Sequence, residues 1–224
     1  MNRNCTYGLM SILMLSLVGA ATAPSAALAS PTNAVRGQYV EVRTASVFAG
    51  ACHYNGERVT EGRSALAAWR FEGGSFRGAD FAGVKVLAAI ACDENLAESA
   101  AVRRSAITID ADTDAKASAA AAWILAQCAD QLGSVVLIRR ATIAFGDAAE
   151  TFTISSKDFG SLSVEPMPDR ACCSQPQLVW YQSLMSVDDR RVGYTQSASL
   201  DFRGVGPNWA RRDENSAIYG TFER

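Results

Sequence analysis

The chain has 224 residues, 49% of them hydrophobic and 20% charged, with a formal net charge of −2 at pH 7. That length suits one large domain with a substantial core, and an ordinary charged fraction with aromatic residues excludes global disorder. A slightly acidic balance lacks the basic footprint that nucleic-acid binding needs, so no nucleic-acid partner is expected.

The first ~29 residues read as a cleavable secretory leader. Arg3 supplies the positive start, an apolar run extends from about Leu9 to Ala20, and Ala27-Leu28-Ala29 fits the small-x-small cleavage pattern. Cleavage is expected after Ala29, with a cut near Ala23 as the alternative. The apolar run falls short of the ~20 residues that a spanning helix needs. Cys5 precedes the run, whereas a lipid-anchoring cysteine would follow it. No later stretch is apolar enough to span a membrane, so the mature chain is expected to be soluble, without a membrane span, and periplasmic or secreted. Loss of the leader removes Arg3 and no acidic residue, which takes the formal charge from −2 to −3.

Beyond the leader, Gln38 to Thr44 alternates: Gln38, Val40, Val42 and Thr44 share one face, and Tyr39, Glu41 and Arg43 the other. This is a strand signal. Cys52-His53 then precedes an Asn55-Gly56 turn, which places the pair on a loop or at a strand end. Ala65 to Phe71 reads as a strand closed by Gly73-Gly74. Val84, Val86, Ala88, Ile90 and Cys92 follow at period two, and Ser105 to Asp110 forms a further short strand.

A helix is expected over about 114–132. Asp112, Thr113 or Asp114 can cap it, the stripe Ala121, Leu125, Cys128 and Leu132 faces the core, and Gly133 ends it. Val135 to Ile138 reads as a buried strand. Ala141 to Phe145 and Thr151 to Ile154 flank Gly146-Asp147 as a hairpin. Pro166 and Pro168 punctuate the chain before Cys172-Cys173, and strand-like pieces follow at Leu178 to Gln182, Val192 to Thr195 and Ala217 to Phe222. Many strands with one long helix imply an α+β class with a mostly antiparallel sheet. The expected organisation is a leader over 1–29, an α+β core over 30–165, and a β-rich extension over 166–224 that carries the Cys172-Cys173 pair.

The pieces GQYVEV at Gly37 to Val42 and ALAAWRFEGGSFRGADFAGVKV at Ala65 to Val86, with the strand–helix–strand order after them, resemble a bacterial family catalogued as domain of unknown function 1326. The resemblance covers roughly 36–165. The family pattern places a denser cysteine cluster after the first strand, where this chain reads Arg43-Thr44-Ala45-Ser46 and keeps only Cys52. The resemblance implies a fold and no activity.

Export makes the cysteines informative. Cys5 leaves with the leader, and Cys52, Cys92, Cys128, Cys172 and Cys173 remain. In an oxidising compartment thiols pair, and an odd set leaves at least one over. Cys52, His53, Cys172 and Cys173 form a candidate site for a soft metal, copper above all, because thiolates and imidazole suit Cu(I) and Zn(II). The spacing matches no zinc-finger pattern. Two other readings stand beside it. Cys52 can form a disulfide with Cys172 or Cys173 that staples the tail to the core. The thiols can also act in thiol–disulfide exchange with a partner protein, although no C-x-x-C motif is present.

The rest of the inventory points away from an enzyme. His53 is the only histidine, which excludes a three-histidine zinc site, and no G-x-S-x-G elbow supports a nucleophilic serine. Cys92 and Cys128 fall on apolar faces and read as core residues, with a mutual disulfide as the alternative. Asp110, Asp112 and Asp114 lack the glycine and glutamate of a calcium loop and read as helix-capping residues. Met167 and Met185 read as packing residues and the arginine pairs as solvated surface.

The leader assignment has a direct check. Protein recovered from the periplasm or medium is expected to begin at Ser30 by intact mass; a chain that retains Met1 to Ala29 would overturn it.

Overall fold

The structure is a computed structural model and describes residues 33–47, 61–98, 101–167 and 181–224. In chain order the elements are β1 (Arg36–Arg43), β2 (Ser64–Gly73), β3 (Ser75–Phe76), β4 (Ala79–Asp80), β5 (Lys85–Cys92), β6 (Arg103–Asp110), α1 (Asp114–Leu132), β7 (Ser134–Arg140), β8 (Ala144–Ala148), β9 (Thr151–Ser156), β10 (Gly160–Pro166), β11 (Asp188–Leu200) and β12 (Trp209–Glu223). Ten strands build one sheet in the order β7-β6-β5-β2-β1-β12-β11-β10-β9-β8, while β3 and β4 form a separate small ribbon.

The expected α+β class is corrected by this sheet. The protein is a β-rich fold, and α1 is a single crossover element: β6 and β7 are paired in parallel, and parallel neighbours need such a connection. The other neighbours in the sheet are antiparallel. The sequence under-reads the strands because charges and bulges interrupt their alternation. β11 opens with Asp188-Asp189-Arg190-Arg191 and shifts register between Asp188 and Arg191 and again between Gly193 and Thr195. β12 carries Arg211-Arg212-Asp213-Glu214, with Asp213 at φ 56°. Only Val192 to Thr195 in β11 and Ala217 to Phe222 in β12 stand out as strand-like. The β8–β9 turn also moves: Gly146 and Asp147 lie within β8, and Ala149 and Glu150, at φ 50° and 66°, make the reversal.

The helix spans the residues expected of it. Thr113 caps it by accepting from the Lys116 amide at 3.2 Å. Gly133 closes it at φ 60°, and a Cβ there would lie 2.3 Å from the Arg103 carbonyl oxygen, so only glycine fits. Alanines 117, 119, 120 and 121 let the helix approach the sheet closely. Trp123 then enters an aromatic cluster, 5.2 Å from Phe71 and 5.5 Å from Phe222 between ring centroids.

The central strands are buried on both faces. Tyr39, Trp69, Phe71, Val86, Ile90, Ile107 and Ile109 pack under α1. Val40, Val42, Leu66, Leu87, Ala89 and Ala106 face the other way, onto Phe152, Ile154, Leu162, Val164, Ala198 and Leu200. For the second set to meet, the sheet must curl. Its two edges, β7 and β8, are joined by residues 141–143 alone, a span of at most about 14 Å. Side chains tie the approach: Arg70 donates twice to the Asp147 carboxylate at 2.9 and 2.6 Å, and Gln38 adds a bond at 3.0 Å. Lys85 Nζ joins Asp110 and the Ile143 carbonyl. Among the described residues no helix is long and apolar enough to cross a membrane.

The Arg70 and Gln38 bonds hold the Asp147 carboxyl below its usual range. A depressed folded-state value means the linkage stabilises above the unfolded value of about 4 and is lost as pH falls through the folded one. Asp147→Asn is therefore expected to lower stability by about 1 kcal/mol at pH 7. Urea titrations across pH test this, since the gap between variant and parent should close below about pH 4; a gap that is constant with pH would overturn the linkage.

Candidate functional site

The odd-numbered face of β1 carries a charge into the interior. Glu41 has 0% exposure and Arg43 2%. A carboxylate with no access to water needs partners for both oxygens, and Glu41 has three. Tyr39 Oη donates to Oε2 at 2.5 Å, the Leu184 amide donates to Oε2 at 2.7 Å, and Arg43 Nε donates to Oε1 at 2.8 Å. Arg43 also donates to the Gln182 carbonyl at 2.5 Å and lies over the Tyr181 ring, 5.2 Å from its centroid. The cluster thus fastens residues 181–184 to β1. Met185 continues the attachment, its sulfur accepting from the Trp69 indole at 3.3 Å.

The electrostatics follow from burial. Desolvation, and then the Glu41 charge and hydrogen bond, hold the Tyr39 hydroxyl well above its ordinary value, so it remains a donor. The Cys128 thiol, at a non-helical position within α1, is pushed up to about 12 by burial and then by Glu41. It stays a neutral thiol and a poor nucleophile. Cys92 is half-buried and its thiol is likewise raised, mainly by desolvation. Both are free cysteines, and both pack with the core under α1. The cluster positions its neighbours; with every oxygen engaged and no exposure, Glu41 has nothing to offer an outside molecule.

A second, apolar cluster lies at the end of β1. Ala45, Val47, Tyr181, Val192 and Ile218 are buried together, and Met167 packs against them. Val47 is held by its amide to the Asn215 carbonyl at 2.9 Å. Asn95 Nδ2 donates both to the Glu61 carbonyl and to Tyr181 Oη, the latter at 2.9 Å. Val47 and Glu61 flank residues 48–60, and Met167 and Tyr181 flank residues 168–180. Three of those four flanking residues meet in one cluster, and Asn95 links the fourth to it.

Cys52 and His53 fall in the first of these segments and Cys172 and Cys173 in the second, so the four proposed ligands lie outside the described residues. The expected strand over Leu178 to Gln182 lies mostly outside them too, and Tyr181 and Gln182 are not in a strand. Among the described residues, no group of three or more His, Cys, Asp or Glu side chains could hold a metal ion. The Tyr39–Glu41–Arg43 cluster escaped the sequence reading, because a polar strand face beside an apolar one ordinarily faces water. Its one signal was Tyr39, a large side chain sharing that face with the ion pair.

No protein-family model matches the chain, and no curated protein matches it.

Removing one partner of a buried ion pair strands the other. Glu41→Ala is expected to cost about 3–5 kcal/mol in urea unfolding, and the double change Glu41→Leu with Arg43→Met to recover much of that loss. A cost below about 1 kcal/mol for Glu41→Ala would show that the cluster does not hold the segment.

Proposed function

We propose that the chain is an exported protein that binds a soft metal, Cu(I) before Zn(II), through Cys52, His53, Cys172 and Cys173. The observation that carries this reading is the convergence of the flanking residues. Cys52 lies five residues beyond Val47, and Cys172 five beyond Met167. At no more than about 3.5 Å per residue, each lies within about 17 Å of a flanking residue in the one apolar cluster. Two thiolate-bearing segments that start from a common, rigid base can close on one ion. Three thiolates and an imidazole form a donor set suited to Cu(I) and Zn(II). The resemblance to the family of unknown function 1326 over roughly 36–165 belongs to the same reading and adds no activity to it.

The same convergence favours one competing reading: a Cys52–Cys172 or Cys52–Cys173 disulfide that staples the two segments in a non-catalytic domain. An oxidising compartment makes that pairing the default, and one ligand set cannot be both oxidised and metal-bound.

Metal content and thiol titration on protein taken from the periplasm separate them. The metal reading expects about one copper per chain and thiols protected from alkylation until a chelator removes the metal. It also expects a loss of affinity of about tenfold or more in Cys52→Ser or Cys172→Ser, as for the loss of a strong ligand bond. A metal-free protein that takes up no Cu(I), with Cys52 found in a disulfide by mass mapping, would end it.

A further inference from the structure

A cleft of about 560 Å³ opens between the start of β2 and the start of β12. Its walls include Arg63, Ser64, Pro207, Trp209 and Arg211, with Glu61 at the rim. Arg211 is engaged through two of its nitrogens: Nε faces Glu214 at 3.1 Å, and Nη2 reaches the Thr44 carbonyl at 3.0 Å and Glu61 at 3.4 Å. Ser64 and Thr44 bond each other, the Ser64 amide to Thr44 Oγ1 at 3.1 Å and the Thr44 hydroxyl to the Ser64 carbonyl.

Two donors remain. Arg63 is exposed and has no ion-pair partner among the described residues. Trp209 is half-buried, and its indole Nε1 is enclosed with no acceptor among the described residues. Arg63 is the cation of the cleft with no partner among the described residues, so the ligand complementary to it is an anion. The indole of Trp209 with Pro207 and Ala210 supplies apolar surface in the same cleft as Arg63, which suits a ring. The volume lies within the range of small-molecule sites.

We propose that this cleft binds a small carboxylate that carries an apolar ring, with Arg63 pairing the carboxylate and Trp209 covering the ring. The site is independent of the cysteine ligands, and its test does not depend on metal.

Benzoate and its uncharged analogue benzamide are the probes, read on the indole N–H signals of the ¹⁵N-labelled chain. The chain has four tryptophans, and Trp209→Phe identifies the relevant signal. Benzoate is expected to move that signal saturably, and benzamide to bind about tenfold more weakly or worse, the effect of losing one charge-assisted bond. Arg63→Met, which keeps the apolar stem, is expected to weaken benzoate by a similar factor while circular dichroism and the benzamide response stay unchanged. No saturable shift with benzoate, equal binding of the two probes, or full benzoate affinity in Arg63→Met would each overturn the proposal. Should Arg63→Met fail to fold, the contrast between the two probes on the unaltered chain decides alone.

Discussion

A charge with no access to water dictates what surrounds it. Glu41 can sit at the centre of the sheet only if its oxygens are met by donors in place, and those donors come from two distant parts of the chain. Tyr39 and Arg43 are neighbours on β1, but the Leu184 amide belongs to a stretch more than a hundred residues later. The carboxylate therefore requires residues 181–184 to return to β1 in one register. Arg43, held by Glu41, in turn fixes the Gln182 carbonyl and the Tyr181 ring. Once Tyr181 is fixed, the apolar cluster with Val47 and Met167 is completed. The convergence behind the metal reading thus traces back to one buried side chain.

The local signals in the sequence were mostly sound, and what they missed was non-local. Thr113, the alanine run and Gly133 specify α1 by capping and propensity, which are properties of neighbouring residues. β1, β2 and β5 announce themselves through apolar periodicity. The ten-strand sheet does not, because β11 and β12 hide half their length behind charged residues and bulges, and their partners lie far along the chain. The α+β class followed from that undercount. The ion pair was illegible for the same reason: whether Glu41 faces water depends on α1 and residues 181–187 lying over it, and no pattern within β1 encodes that.

The cysteines divide by environment. Cys128 and Cys92 are raised by burial and sit in packing positions, as their apolar periodicity implied. Cys52, Cys172 and Cys173 belong to segments between elements, where periodicity says nothing and only the flanking residues bear on them. The Arg63–Trp209 cleft was missed for a different reason. Neither Arg63 nor Trp209 stands in a motif of its own, and the two line one space only once β2 and β12 bracket it.

One feature of the sheet bears on how the protein comes to exist. β1 pairs with β12 along seven residues, Arg36 with Glu223 at one end and Val42 with Ala217 at the other. β1 thus finds its second partner only in β12, far along the chain. Until then its backbone donors on that side stay unmatched, and the sheet has two halves with no middle. Contacts of such long sequence separation close slowly. The sheet is whole only when β12 is in place, and a chain without it would leave β1 and β11 as two bare edges.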